Sequence, residues 1–512
     1  MSISNIVIVG GGTAAWATAH QFINKTNSSV KIKVVNTPEI PIIGVGESTT
    51  GRFYDLINLK NNVTGLEENE FLKETESTYK IGIKHSDWRK VGEHFYSPIG
   101  DNYENELKYP HRDYDYMRVY HVATEQPYTN TFQSALMHEN KLHIVDGKDV
   151  FKDVHGAPIA YHLDTFKVGQ YLKRKAINCK DRCEYIEGKV VNFTMNENGF
   201  VKSIITEDGR EVEGDLFVDC TGFARSLIGK IYDNKFVSYE NELLVNRALN
   251  FNIKHDNNTI IPNYTHAWAQ KYGWLWQIPT QKRMGCGYVF SDNHTTPDEA
   301  KDEIENVLGK KIDIQRDISF KSGRLEKLWI KNVISTGLSS GFVEPLEATS
   351  IHATTIQITH FIENYYKQDM PFECEILHKK YNKEMADMWD HIKDFIVFHY
   401  VTPRKDTDFW IEASKEERRS DRLKEMMKLW QYRMPRVVDY ISDKNNNFYH
   451  IGNVLWYQIA IGMKTLSPTL AKKELLDYNL YDYSYNKFLE VTNFVKDKVN
   501  KSITTNEYYS KL

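Results

Sequence analysis

Near the start, Asn5-Ile6-Val7-Ile8-Val9 is a β-branched run that breaks at once into Gly10-Gly11-Gly12. Thr13 to Lys25 then reads as a helix, and Val30 to Val35 returns to a strand, so the chain opens as a βαβ unit. Up to about Glu373, short strands alternate with turn signals such as Asn196-Glu197-Asn198-Gly199 and Glu207-Asp208-Gly209. Within that stretch, Asp215-Leu216-Phe217-Val218-Asp219 has the character of a buried strand and runs into Thr221-Gly222. From about Cys374 the pattern becomes helical and strongly charged, as in Ser414 to Gln431. There is no internal repeat, low-complexity tract or Pro/Gly-rich linker. The expected organisation is an α/β core with a mixed sheet over 1–373 and a mainly helical module over 374–512.

Composition narrows the function classes more than the fold. The chain has 512 residues, 41% of them hydrophobic, which is ample for a large core. Lys+Arg 65 against Asp+Glu 69 leaves a formal charge of -4, with neither a basic surplus for nucleic acid nor an acidic tail. Five scattered cysteines, Cys179, Cys183, Cys220, Cys286 and Cys374, make no disulfide framework and no zinc spacing, so no metal is expected. A reducing, cytoplasmic compartment fits them. No apolar run is long enough to span a bilayer, so no membrane association is expected. Aromatic residues reach 13%, which by itself points first to extra core and surface tyrosine.

Gly10-Gly11-Gly12-Thr13-Ala14-Ala15 satisfies G-x-G-x-x-G/A between a strand and a helix. The first glycine permits a tight turn, the second lets backbone N–H groups approach a pyrophosphate, and the helix N-terminus favours its charge. Gly10, Gly12, Thr13, Ala14 and Ala15 are therefore candidate dinucleotide contacts. The second strand ends in Asn36 instead of the acid that usually holds a ribose hydroxyl, with Glu39 nearby. The distant strand ending in Thr221-Gly222 has the form in which many FAD oxidoreductases return to the cofactor, which favours FAD over NAD. No second fingerprint for NADH is present, so reduced flavin is expected to come from a separate reductase.

Several further segments carry a resemblance to the flavin-dependent tryptophan halogenases. Gly273-Trp274-Leu275-Trp276-Gln277-Ile278-Pro279 has the family's W-x-W-x-I-P form, and Gly44-Val45-Gly46-Glu47-Ser48-Thr49 resembles its flavin-contacting strap. Tyr79-Lys80-Ile81-Gly82-Ile83-Lys84, followed by Asp87-Trp88-Arg89, resembles the segment holding its active-site lysine. Phe342-Val343-Glu344-Pro345-Leu346-Glu347-Ala348-Thr349 resembles the segment of its partner glutamate, and Thr402-Pro403-Arg404 and Asp408-Phe409-Trp410 are similar to later signatures. The matches run in the family's order over roughly residues 5 to 412. The resemblance implies an FAD-binding Rossmann-like (glutathione-reductase/PHBH-like) core. It also implies a function: FADH2, O2 and a halide give hypohalous acid, which halogenates an electron-rich aromatic such as an indole or phenol. Gly46, Glu47, Ser48 and Gly337 are its further cofactor contacts, and Thr349 and Ser350 its halide site.

In that chemistry Trp274 and Trp276 would wall flavin from substrate, although two tryptophans at i, i+2 also fill a strand's core face. Lys80 would place the electrophilic halogen, by hydrogen bonding or as a haloamine, since burial makes a free amine accessible. Lys84 is the competing lysine. Glu347 would polarise the oxidant or take the ring proton, with Glu344 the competing acid. His94 and Tyr96 are candidates for stacking on the substrate, and Trp456 is a weaker aromatic candidate. The family's F-x-x-P-x-x-S-x-G is altered here to Ala348 and Ser350, which points to bromide or iodide in preference to chloride. The alternatives are a flavin-dependent aromatic monooxygenase and a non-catalytic flavoprotein; a homo-oligomer is compatible with either reading.

Overall fold

The computed structural model describes residues 2–39, 44, 48–59, 61–99, 115–126, 131–145, 148–149, 159–256, 258–439 and 451–512. They form two compact units, each assembled from three stretches of chain. The first takes Met1–Ser77, Leu163–Tyr239 and Lys321–Asp390; the second takes Thr78–His162, Glu240–Phe320 and His391–Leu512. The change of texture near Cys374 marks the start of a long helix, Glu375–His399, and the units interleave across the whole sequence.

The first unit is built on a six-stranded sheet. Its order is Cys183–Glu187, Lys31–Asn36, Asn5–Val9, Leu216–Asp219, Val333–Ser335 and Trp329–Ile330. All neighbours are parallel except the last pair. A parallel strand covered on both faces needs a continuous apolar run, which Ile6 to Val9 and Leu216 to Val218 supply; all are buried. The Thr13–Lys25 helix packs on Thr165–Asn178 and Thr349–Asn364. His20 Nε2 to the Leu172 carbonyl at 2.8 Å and Gln21 Nε2 to the Thr355 carbonyl at 3.2 Å pin it to each. The two turn signals lie between the strands of an antiparallel meander, Val190–Met195, Val201–Thr206 and Glu211–Glu213. Gly199 and Gly209 take up the positive φ of those turns.

The second unit carries a seven-stranded sheet. In order its strands are Ile314–Ser319, Arg247–Lys254, Arg283–Phe290, Gly273–Pro279, Tyr264–Ala269, Gly82–Ser86 and His94–Pro98. Only Tyr264–Ala269 and Gly82–Ser86 run parallel. The Pro297–Leu308 helix sets Ala300 and Ile304 against Leu249, Phe251, Leu275, Cys286 and Tyr288 on one sheet face. Thr78–Lys80 pairs separately with Ala160–His162. The charged stretch expected as helical over Ser414 to Gln431 is a 3-10 turn at Glu416–Arg418 and a helix at Asp421–Leu429. The Ser420 side chain accepts from the Leu423 N–H there, and this cap starts a fresh helix after the 3-10 turn. Among the described residues, no helix is long and apolar enough to cross a membrane.

Candidate active site

In the first unit the fingerprint closes into a cradle that side chains would fill. Gly10 has φ +131, and a Cβ there would stand 2.3 Å from the Cys220 carbonyl oxygen. This turn therefore needs glycine both for its backbone conformation and for space. Val9 pairs with Asp219, and the Cys220 N–H donates to the Val9 carbonyl, so the distant strand noted in the sequence does return to the loop. Asp219 is buried and accepts from the N–H groups of Thr221, Leu227 and Ile228 and from the hydroxyls of Thr221 and Ser339, which shapes the turn after it. Gly12 caps the helix without a side chain. Thr13 Oγ1 donates to the Thr165 carbonyl at 3.4 Å, Ala15 is fully buried, and a Cβ on Gly337, whose φ is +65, would meet Ala14 at 2.8 Å. The Asn36 amide fills the place of a Cβ on Gly11. The end of the second strand therefore presents an amide oxygen and N–H beside the fingerprint glycines. This glycine-lined, uncapped helix start fits the pyrophosphate of FAD. Ser48 is buried nearby in sequence, while Gly46 and Glu47 lie outside the described residues.

The same unit holds the Glu347 segment. Glu347 at φ 66 and Ala348 at φ 57 are two successive non-glycine residues in the left-handed region. That conformation costs about 1–2 kcal/mol per residue, so the surrounding fold is holding it. It turns the chain into the Thr349–Asn364 helix, of which Thr349 and Ser350 are the first two residues. Ala348 at the N-cap offers no side-chain cap, and Thr349 Oγ1 is buried with no hydrogen-bond partner among the described residues. A helix start of 16 residues with a free buried hydroxyl suits a small anion. Glu344 is fully buried, whereas Glu347 is partly exposed.

In the second unit Lys80 is only 1% exposed, whereas Lys84 is half-buried over the Tyr264 ring at 6.0 Å. Two residues before Lys80, Thr78 Oγ1 donates to the Pro279 carbonyl at 2.6 Å, tying the lysine strand to the end of the tryptophan strand. Trp274 and Trp276 are buried with ring centroids 6.3 Å apart. The Trp276 ring lies over Gly287, where a Cβ would come within 2.0 Å of it. Trp88 packs against Trp274 at 6.3 Å and Trp410 at 5.8 Å, and Arg404 lies over the Trp410 ring at 4.5 Å.

The sequence pattern described as Tryptophan halogenase matches residues 5–475. The chain belongs to the tryptophan halogenase family. It is 32% identical over 452 residues to a tryptophan 6-halogenase of Streptomyces albogriseolus, covering 85% of this chain and 83% of that one. It is likewise 32% identical over 474 residues to a tryptophan 7-halogenase of Lentzea aerocolonigenes, covering 88% and 85%. Among solved structures it is similar to a tryptophan C-6 flavin-dependent halogenase from taromycin biosynthesis, with TM-score 0.86, 27% identity and 99% of each chain covered. This halogenase is accordingly a flavin-dependent oxidoreductase with the mixed α/β fold of its relatives.

Strand register then sorts the halogenase's expected substrate residues. Trp276 pairs with Ala267, Ala267 with His85, and His85 with Phe95, so these four share one sheet face. Gln277, His266, Lys84 and Tyr96 follow each other in the same way on the opposite face, and His94 lies there too, across from Ser86. His94 and Tyr96 do meet edge to face at 5.7 Å, but away from the tryptophans. Burial, then the charges of Lys84 and His138, lower the His94 pKa; burial pushes Tyr96 up to about 12. On the tryptophan face His85 stacks on Phe95 at 4.7 Å and meets His399 at 5.4 Å. Sequence reasoning passed over His85 and Phe95, and the period-2 alternation from Trp276 would reveal them only once the register is known. Trp456 is fully buried among Phe395, Phe398, His391 and Trp430, in a helical core.

Proposed function

We propose that this protein halogenates an electron-rich aromatic small molecule, an indole or a phenol, with bromide or iodide used in preference to chloride. Reduced FAD, delivered by a separate reductase, supplies hypohalous acid from O2 and halide when bound. The observation that carries the reading is the burial of Lys80 in a strand clamped to the tryptophan strand. An amine shielded from water can hold hypohalous acid by a hydrogen bond, or capture its halogen, without losing it to solvent. Glu347, held in a strained turn, is the residue proposed to polarise that oxidant or accept the proton the ring loses. The first N–H groups of the Thr349–Asn364 helix, with the Thr349 hydroxyl, are proposed to hold the halide, and Trp274 and Trp276 to keep organic substrate from the flavin.

Gly10, Gly12, Thr13, Ala14, Ala15, Asn36 and Gly337 make the proposed cofactor cradle. A panel of indoles and phenols incubated with FAD, a flavin reductase, NADH and each halide tests the function by mass spectrometry. A halogen isotope pattern is expected. A product 16 mass units heavier would instead identify a monooxygenase, and an unchanged panel would remove the reading.

A further inference from the structure

The residue facing Thr78 across the short lysine ladder is His162, which is fully buried. Its Nδ1 lies 3.1 Å from Thr78 Oγ1 and its Nε2 3.1 Å from Thr265 Oγ1. Thr78 Oγ1 also lies 2.6 Å from the Pro279 carbonyl oxygen. A carbonyl only accepts, so the single Thr78 hydroxyl proton is committed to Pro279. The Thr78 oxygen must then accept from the ring, which places the imidazole proton on Nδ1 and leaves Nε2 to accept from the Thr265 hydroxyl.

We propose that His162 is a positioning residue for Lys80. Its Nδ1-protonated ring fastens the lysine strand to Pro279, at the end of the strand that carries Trp274 and Trp276, and thereby fixes where the amine meets the oxidant. The inference rests on the reading of Lys80 as the halogen-handling group.

Chemistry at the ring supports it. Burial, and after it the positive charge of Lys80, holds the His162 pKa well below the usual histidine range. The ring therefore stays neutral, keeps Nε2 as an acceptor, and adds no second cation beside the amine. A histidine kept only to fill space is poorly suited to this site. It carries two ring nitrogens out of water, which phenylalanine would not, and burying them is costly unless both are bonded.

Two quantities per FADH2 oxidised test the proposal: halogenated product, and free hypohalous acid trapped by a soluble halogen acceptor. His162→Phe is expected to lower product on the order of tenfold or more, as small misplacements at a reacting centre do. Trapped oxidant should rise so that the sum stays constant. His162→Asn puts an amide N–H where Nδ1 was, and should restore delivery better than His162→Gln, whose amide mimics Nε2. A structural role would not split delivery from oxidant formation, nor rank the two amides. Product and leakage at wild-type values in His162→Phe would overturn the proposal.

If that variant fails to fold, nitrogen-15 histidine spectra of the intact holoenzyme decide the point, because an Nε2-protonated His162 contradicts it. Lys80→Ala serves as the control. Retained product there removes the lysine reading itself, whereas lost product with an indifferent His162→Phe removes only the role of His162.

Discussion

His85 lies flat on Phe95, with ring centroids 4.7 Å apart and planes 12° from parallel, on the sheet face that also carries Trp276. The Phe95 ring in turn fills the space above Gly462, where a Cβ would come within 2.2 Å of it. Gly462→Ala should therefore overpack this contact and cost about 1–3 kcal/mol. Thermal unfolding of Gly462→Ala, Phe95→Leu and the double variant checks it. The double variant is expected to recover part of the loss, and strict additivity would show that the two do not compete for space.

The two glycines of the fingerprint should differ in their tolerance of a methyl group. A Cβ on Gly10 meets a backbone carbonyl and sits at positive φ, whereas one on Gly11 meets the Asn36 side chain, which can rotate where a backbone carbonyl cannot. Gly10→Ala is expected to weaken FAD binding by tenfold or more, on the order of the 1–2 kcal/mol left-handed penalty plus the clash, and Gly11→Ala by less. Flavin fluorescence titration reports both, and equal effects would show that the Asn36 side chain is as rigid as the backbone.

Stability should fall with acid. Burial, opposed by the hydrogen bond to the Leu172 carbonyl, holds His20 at about 4, against the 6.5 of an ordinary histidine. The unfolded chain then binds the proton that the folded one refuses. The stabilisation is complete above about 6.5 and is lost as pH falls towards 4, each unit of the gap being about 1.4 kcal/mol. Melting temperatures from pH 7 to pH 4.5 should decline less steeply in His20→Gln, and parallel curves would exclude His20 as a source of the slope.

The local parts of this enzyme were legible in its sequence. Asn5–Val9 and Thr13–Lys25 occupy the predicted residues, and the turn signals at 196–199 and 207–209 fall between strands, because short-range backbone preferences decide them. Family motifs singled out Lys80, Glu347 and the tryptophans as candidates. What escaped depends on pairing between distant segments. The face shared by Trp276, His85 and Phe95 follows from pairing between segments far apart in the chain, a register that alternation within one strand does not specify. His162 is invisible without the ladder that sets it opposite Thr78, and the interleaved units follow from long-range contacts that no local texture records.

Chloride use should respond to the helix start. Small, strongly hydrated chloride needs close donors to offset its desolvation, whereas bromide and iodide lose less and are easier to oxidise. Ala348→Ser with Ser350→Gly is expected to raise the chloride product relative to bromide. Product per flavin oxidised at equal halide concentrations measures it, and a wild-type enzyme that uses chloride as well as the heavier halides would contradict it.

In the proposed reaction the Lys80 amine delivers the halogen after the oxidant has formed. Halogenated product per FADH2 oxidised, measured for Lys80→Ala beside the wild type with catalase present, separates delivery from oxidant formation. Flavin oxidation is expected at the wild-type rate, with product reduced by about 100-fold or more, the scale at which a positioned acid–base or nucleophilic group contributes. A product yield close to wild type in Lys80→Ala would contradict it.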